Sequence, residues 1–277
     1  MANSLIYSAP GKMKLFLKFL FLVALFFGTW FALRQIDWVT VLNVRQMTKS
    51  TEQKLGDLFW DMFRQTEEID HSAEVAGAID SLVTHLCKAN DIDRDKLKLH
   101  VVDKDMVNAF TLPDDHLVVL TGLVNETQNE AELLGVIAHE VAHVEKNHVM
   151  KKLVKEVGLS VLISMTNGGS GEAIRQALQM ITSSAYDRDL EREADLTAVD
   201  YLIKAEVDPE PFANMLYRLS ENEEHIPRQL FWISTHPNSK ERAEAIIAYI
   251  KGKTVTKKPV LSSEQWDQLK EKTAVID

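Results

Sequence analysis

The stretch Asn129-Glu130-Ala131-Glu132-Leu133-Leu134-Gly135-Val136-Ile137-Ala138-His139-Glu140-Val141-Ala142-His143 decides the reading of this chain. Leu133, Val136 and Ile137 stand at i, i+3 and i+4, and Val144 follows Ile137 by two turns, which is the period of an amphipathic helix. Asn129 is placed to cap that helix, with Glu130 and Glu132 in the first turn, where the helix dipole favours negative charge. On such a helix His139 and His143 lie about 6 Å apart along the axis and on nearly one face. Two imidazoles can then converge on one cation, and Glu140 flanks it without ligating it. The H-E-x-x-H order reads as a zinc hydrolase site, in which the carboxylate takes a proton from water whose pKa the metal lowers to about 7.

A catalytic zinc of this type needs a third protein ligand and an open position for water. Glu191-Arg192-Glu193-Ala194-Asp195 lies in a run, Asp189 to Lys204, whose apolar residues Leu190, Ala194, Ala198, Val199 and Leu202 recur at helical spacing. Glu191 and Asp195 share a face of that helix, while Glu193 points elsewhere on the wheel. Glu191 can complete a two-His, one-Glu site, and Asp195 can accept the free ring N–H of a ligand histidine. A charged cluster is ordinarily a solvated face; His139 and His143 turn the reading.

Several separated segments together resemble the gluzincin metallopeptidase family that includes HtpX, BepA and the CAAX prenyl proteases. They are Asn108-Ala109-Phe110-Thr111-Leu112-Pro113, the Thr121-Gly122-Leu123 turn, the Asn129-to-His148 helix, Ser184-Ala185-Tyr186-Asp187-Arg188, Glu191 to Asp195, and Thr235-His236-Pro237 followed by Arg242. The resemblance spans about residues 100–245. It implies that Glu191, the first Glu of the family's E-x-x-x-D, is the third ligand and that Asp195 stands behind the ligands. The chain departs from the family in two places. Pro113-Asp114-Asp115 replaces the Pro-Gly-Gly of many members, and Asp187 stands before Arg188 where the family commonly has Ser.

A lone His before Pro is more often a turn residue than a catalytic one. For His236 the resemblance adds that the family places a His-Pro element near the metal. There an imidazole could stabilise the oxyanion of the tetrahedral intermediate, or cap the zinc at rest and hold the enzyme latent. His148 follows the motif by five residues, off the metal-facing stripe of a continuous helix, and reads as a surface or capping histidine. His71, His85, His100, His116 and His225 have no partner at ligand spacing. The single cysteine, Cys87, forms no internal disulfide and reads as a small core residue.

Leu15 to Leu33 is almost wholly apolar except Lys18, Gly28 and Thr29, and is preceded by Lys12 and Lys14. Its 19 residues approach the roughly 20 needed to span the hydrocarbon core and exceed a secretory h-region of about 7–15. Gly28-Thr29-Trp30-Phe31-Ala32 is too bulky for good signal-peptidase cleavage, so the segment reads as a retained signal anchor. Lys12, Lys14 and Lys18 should stay cytoplasmic, which puts the rest of the chain across the inner membrane, in a bacterium on the periplasmic side. The chain carries 31 basic and 41 acidic residues, and its first 34 residues are basic only, leaving a net charge of −14 for the remainder. Nucleic acid is excluded as a partner by that balance.

Three short extended runs, Leu97 to Val102, Val107 to Thr111 and Leu117 to Thr121, should form a small antiparallel sheet. Leu117, Val118, Val119 and Leu120 are the candidate edge strand that binds substrate backbone beside the metal helix. Val39 to Ile69 reads as one or two helices, and most of the chain after Asn129 as helical, with a glycine-rich loop at Asn167 to Gly171. The expected organisation is α+β and mainly helical. It comprises an N-terminal transmembrane anchor (1–35), a zincin-like metallopeptidase domain (36–251), and a linker with a short helix (252–277). The function this implies is a membrane-anchored zinc endopeptidase holding one zinc ion per chain. It would act on proteins or peptides outside the cytoplasm, with misfolded envelope proteins in view. An alternative is a chaperone or assembly factor that binds unfolded polypeptide in a latent protease cleft. A purely structural zinc is disfavoured by the lack of cysteine near the cluster. Prenyl-protein processing calls for a multi-span membrane chamber that one anchor cannot build.

Overall fold

The helix α1 (Pro10–Gln35) carries an 18-residue window, Lys14–Phe31, that is long and apolar enough to cross a membrane. At 1.5 Å per residue that window covers about 27 Å, close to the roughly 30 Å hydrocarbon core. Leu15, Phe16, Phe19, Phe21, Leu22, Phe26 and Phe31 are all exposed on it, as lipid-facing side chains would be. This computed structural model describes residues 10–35, 49–69, 73–221, 231–255 and 257–274. The chain divides into two compact units, Met1–Gln46, to which α1 belongs, and Met47–Asp277. Of the helical run expected over Val39 to Ile69, only α2 (Lys49–Arg64) is observed, and residues 36–48 lie outside the described set, as do His71 and His225.

The second unit is built on a four-stranded sheet of β1 (Glu68–Ile69), β2 (Lys98–Asp103), β3 (Ala109–Leu112) and β4 (His116–Leu120), in the order β1-β2-β4-β3. The sheet is small, and it is mixed where the sequence reading expected antiparallel pairing throughout. β2 and β4 run parallel, Lys98 opposite His116 through Val102 opposite Leu120, while β1–β2 and β3–β4 are antiparallel. Alternation of apolar residues identifies a strand but carries no information on which neighbour it takes. The β3–β4 hairpin turns at Pro113-Asp114-Asp115, where both aspartates have positive φ, 60° and 61°. Asp tolerates that left-handed conformation, so the turn that Pro-Gly-Gly would make is kept.

One expectation is corrected by this topology. Leu117, Val118, Val119 and Leu120 do not form an edge, because β4 is bonded to β2 on one side and to β3 on the other. Its backbone groups are therefore committed, its side chains are buried, and it cannot accept a substrate strand. The terminal strand of the sheet on that side is β3.

The helices after β1 are α3 (Ala73–Ala89), α4 (Thr121–Glu126), α5 (Glu130–Glu145), α6 (His148–Glu156), α7 (Leu159–Thr166) and α8 (Gly171–Ser183). They continue as α9 (Arg188–Lys204), α10 (Glu210–Ser220), α11 (Phe231–Thr235), α12 (Ser239–Ile250) and α13 (Ser263–Thr273). The motif helix α5 runs through the centre, against β3 and β4 on one side and α9 and α10 on the other. Asn129 caps it, its side chain accepting from the Glu132 N–H at 3.0 Å. Glu132 in turn accepts from the Gln128 N–H and from Arg218 on α10. Leu133, Leu134, Val136, Ile137 and Val141 are fully buried, each contributing about 1.5–3 kcal/mol as an upper figure. The approach of α10 depends on Gly135, since a Cβ there would stand 2.5 Å from Cβ of Phe212.

The segment beyond Lys251 is docked in the same unit. Leu269 of α13 is buried in the core, and Lys270 donates to the carbonyls of Val124, Asn125 and Thr127 at the end of α4. Cys87 is fully buried in α3. On the other flank Trp60 of α2 stacks on His100 of β2 with ring centroids 3.5 Å apart.

Candidate metal centre

Helix α5 holds His139 and His143 fully buried on one face, with their Nε2 atoms 3.0 Å apart. Helix α9, packed across it, brings Glu191 to them. Its Oε2 lies 3.6 Å from Nε2 of His139 and its Oε1 3.5 Å from Nε2 of His143. The short helix α11 and the turn after it add His236, whose Nε2 is 3.9 Å from Oε1 of Glu191 and 3.4 Å from Oε1 of Glu140. Donor atoms of His139, His143, Glu191 and His236 all lie within 4.8 Å of one another.

The donor set fits a divalent metal. Metal–nitrogen bonds of about 2.0–2.1 Å in a tetrahedron place two nitrogens about 3.3 Å apart, close to the separation seen here. Neither oxygen of Glu191 and not Nε2 of His236 takes part in a hydrogen bond, although all three are buried. Oε2 of Glu191 has the Arg242 guanidinium 3.1 Å away as an ion-pair partner, but unsatisfied acceptors such as Oε1 and the His236 nitrogen are costly in a closed interior unless a cation serves them.

The groups around the donors fix their orientation. Nδ1 of His139 lies 3.0 Å from Oδ1 of Asp195 and 3.5 Å from Nη2 of Arg242; a proton on Nδ1 facing that carboxylate leaves Nε2 with the lone pair a metal ligand needs. Asp195 is itself held by Arg242 of α12, through Nε at 2.8 Å and Nη2 at 2.7 Å. Nη1 of Arg242 donates to the carbonyl of His236 at 3.0 Å and lies 3.1 Å from Oε2 of Glu191. Nδ1 of His236 lies 3.2 Å from the carbonyl of Trp232, which can only accept, so the proton sits on Nδ1 and the Nε2 lone pair faces the other donors.

Burial sets the electrostatics. It drives His139 and His236 well below the usual imidazole range and His143 down to about 3. It drives Glu140 well above the carboxylate range and raises Glu191. A bound cation acts in the opposite direction on the carboxylates, favouring their ionised form. Burial opposes the Arg242 charge as well, yet Asp195 and Glu191 hold it protonated. Lys152 is pulled down to about 8 by burial, with the Glu191 carboxylate offsetting part of the effect. Its ammonium donates to the Ser184 carbonyl and lies 4.3 Å over the Tyr186 ring, whose centroid is 4.2 Å from that of His143.

The structure brings His139, Glu140, His143, Glu191, Asp195 and His236 into one buried cluster, and leaves Leu117 to Leu120 inside the sheet. It corrects the reading of His148, which is neither exposed nor a cap. It is fully buried, and its Nδ1 lies 3.0 Å from Nδ1 of His143. Sequence reasoning also gave no role to Trp232, whose Nε1 donates to Oε1 of Glu140 at 3.4 Å, or to Arg242 beyond its place in the resemblance. For Trp232 the only signal was its place four residues before His236.

Comparison with known proteins agrees with this centre. Residues 73–250 match peptidase family M48, and all of the clustered side chains fall within them. The beta-barrel assembly-enhancing protease of Yersinia pestis is 25% identical over 201 residues, covering 67% of this chain and 41% of that protein. The mitochondrial metalloendopeptidase OMA1 of Bos taurus is 31% identical over 187 residues, covering 60% and 36%. The OMA1 of Schizosaccharomyces pombe is 29% identical over 154 residues, covering 54% and 46%. The chain thus spans less than half the length of these relatives. With its family match extending over more than half of the chain and over every residue of the centre, the chain belongs to peptidase family M48, a family of zinc metallopeptidases.

Proposed function

We propose that this chain is a membrane-anchored zinc endopeptidase that cleaves proteins outside the cytoplasm, with misfolded envelope proteins as its substrates. The observation that carries the reading is the convergence of two imidazole Nε2 atoms and one carboxylate beside a second, non-ligating carboxylate, Glu140, in a buried cleft. The chemistry that a bound zinc ion supplies is Lewis-acid polarisation of the scissile carbonyl and acidification of water near neutral pH. His139, His143 and Glu191 would hold it. Glu140 takes the proton from the attacking water and later delivers it to the leaving amine. The Trp232 N–H on Oε1 of Glu140 fixes one carboxylate oxygen and leaves the other for the water.

His236 is oriented as a lone-pair donor rather than as an N–H donor. That orientation supports a resting state in which His236 would join His139, His143 and Glu191 in holding the metal, keeping the enzyme latent. β3 ends the sheet beyond β4, and its residues are buried. Beside it runs a cleft of about 640 Å³ lined by Phe63, Met106, Asn108, Phe110, Leu178 and Phe231, suited to extended apolar segments. An inner-membrane location with the second unit on the periplasmic side is supported by lysines ahead of the apolar window of α1 and by the assembly-enhancing role in the names of bacterial relatives.

The test compares wild type with Glu140→Gln as full-length protein in detergent, measuring bound zinc and casein cleavage. Wild type with about one zinc and cleavage, against a mutant with zinc and none, is the expected result. Zinc binding with no cleavage by either protein moves latency or polypeptide binding ahead and makes His236→Ala the deciding variant; zinc binding without cleavage by that variant as well would refute the peptidase reading.

A further inference from the structure

Helix α5 stops at Glu145, and Asn147 takes a left-handed conformation, φ 55°, before α6 begins at His148. On an uninterrupted helix a residue five after His143 would stand about 140° around the axis from it. The break instead returns the His148 ring to the back of His143. The two rings stand edge to face, with centroids 4.9 Å apart and an angle of 76°. Nδ1 of His148 is 3.0 Å from Nδ1 of His143, and Nε2 of His148 is 3.3 Å from Oε2 of Glu193 on α9. His148 is fully buried, whereas Glu193 is 44% exposed and its other oxygen lies 3.5 Å from the Lys146 ammonium.

We infer that His148 and Glu193 are positioning residues that fix the tautomer of His143, holding its Nε2 lone pair on the metal. The direction of each bond follows from what the end group can do. A carboxylate only accepts, so Nε2 of His148 carries the proton it shares with Glu193, and Nδ1 of His148 is left as an acceptor. Nδ1 of His143 must then be the donor, and its Nε2 is unprotonated, the form a metal ligand requires. No proton moves along this row.

His139 has a carboxylate directly beside its ring, Asp195 at 3.0 Å from Nδ1, which Arg242 clamps from behind. His143 has a neutral imidazole there, with the carboxylate one group further out. The two ligands are thus oriented by different devices, one buried and one ending at the surface. Substitution of groups that orient ligands in this way weakens metal binding by about 10–100-fold.

The inference rests on the metal-centre reading, and one titration separates the two. Zinc affinity of the full-length protein in detergent is measured by competition with a chromophoric chelator, for wild type, His148→Leu, His148→Asn and Glu193→Ala. Melting of each metal-stripped protein is recorded alongside. His148→Leu should bind zinc about 10–100-fold more weakly. His148→Asn, whose Oδ1 can accept the same N–H, should stay within about threefold of wild type. If His148→Leu stays within about threefold of wild type, or if Leu and Asn lose affinity alike, the positioning role is overturned. If His148→Leu shows no melting transition, Glu193→Ala decides from a half-exposed position. A loss of about threefold or more supports the row, and no loss overturns it. A wild type that binds no zinc overturns the centre itself.

Discussion

Replacing Arg242 by Met removes a buried cation from between two buried carboxylates and keeps most of the side-chain volume. Three of its nitrogens are engaged: Nε and Nη2 on Asp195 at 2.8 and 2.7 Å, and Nη1 with the His236 carbonyl at 3.0 Å and Glu191 at 3.1 Å. Breaking a buried pair by removing one partner costs about 3–5 kcal/mol, because the other charge is left uncompensated. For a unit of this size each kcal/mol lowers Tm by about 2–4 °C, so the metal-stripped protein should melt about 6–20 °C lower. In the zinc-loaded protein the cation offsets the Glu191 charge, so the drop should be smaller there while Asp195 still lacks its clamp. Differential scanning calorimetry on both proteins, with and without zinc, reads all four values. A metal-stripped Arg242→Met that melts within about 2 °C of wild type would refute the claim that these charges depend on one another for burial.

Gly135→Ala sets an overpacking cost of about 1–3 kcal/mol against Phe212 over a helix-propensity gain of about 0.5–1 kcal/mol, so thermal melting should show a lower Tm by a few degrees. A Tm at or above wild type would mean that α5 and α10 are not in such close contact. His100 and His116 are each lowered to about 4, foremost by burial, with the neighbouring charge of His116 adding to the first and that of Lys98 to the second. Both are neutral when folded, and the unfolded chain binds more protons between about pH 4 and 6.5; the stability they confer is present above that window and lost as pH falls through it. Tm of metal-stripped protein against pH should therefore fall less steeply over this range in His100→Gln/His116→Gln than in wild type, and parallel curves would contradict the reading. His236→Ala should raise basal casein cleavage by freeing the fourth metal position, and a drop in cleavage without any such rise would remove the case for latency.

The metal helix was legible because H-E-x-x-H combines a chemical pattern with the period of the helix that presents it, and Asn129 and the first-turn glutamates marked its start. Glu191 and Asp195 were legible for the same reason, four residues apart on a second periodic helix. His148 was not. Its placement depends on Asn147 leaving the right-handed region, and helical-wheel reasoning assumes that no residue does so. The three core strands were legible from β-branched alternation, but their order was not. The parallel β2–β4 pair is a contact between distant residues, and nothing in either strand names its partner. The edge position assigned to Leu117 to Leu120 failed on that point alone. Asp114 and Asp115 departed from the family's glycines, and their positive φ values show how two carboxylates can keep a conformation that usually favours Gly.

The clamp at the end of α4 has a consequence for the newborn chain. Lys270 meets the carbonyl of Thr127 across 143 residues of sequence. At about 5–20 residues per second, α4 is synthesised roughly 7–30 s before the ammonium that serves its three terminal carbonyls exists. His139, His143, Glu191 and His236 are all made within that interval. The donor groups of the candidate centre are therefore complete in the chain before the lock on the domain is, and for those seconds they stand on an unfinished frame.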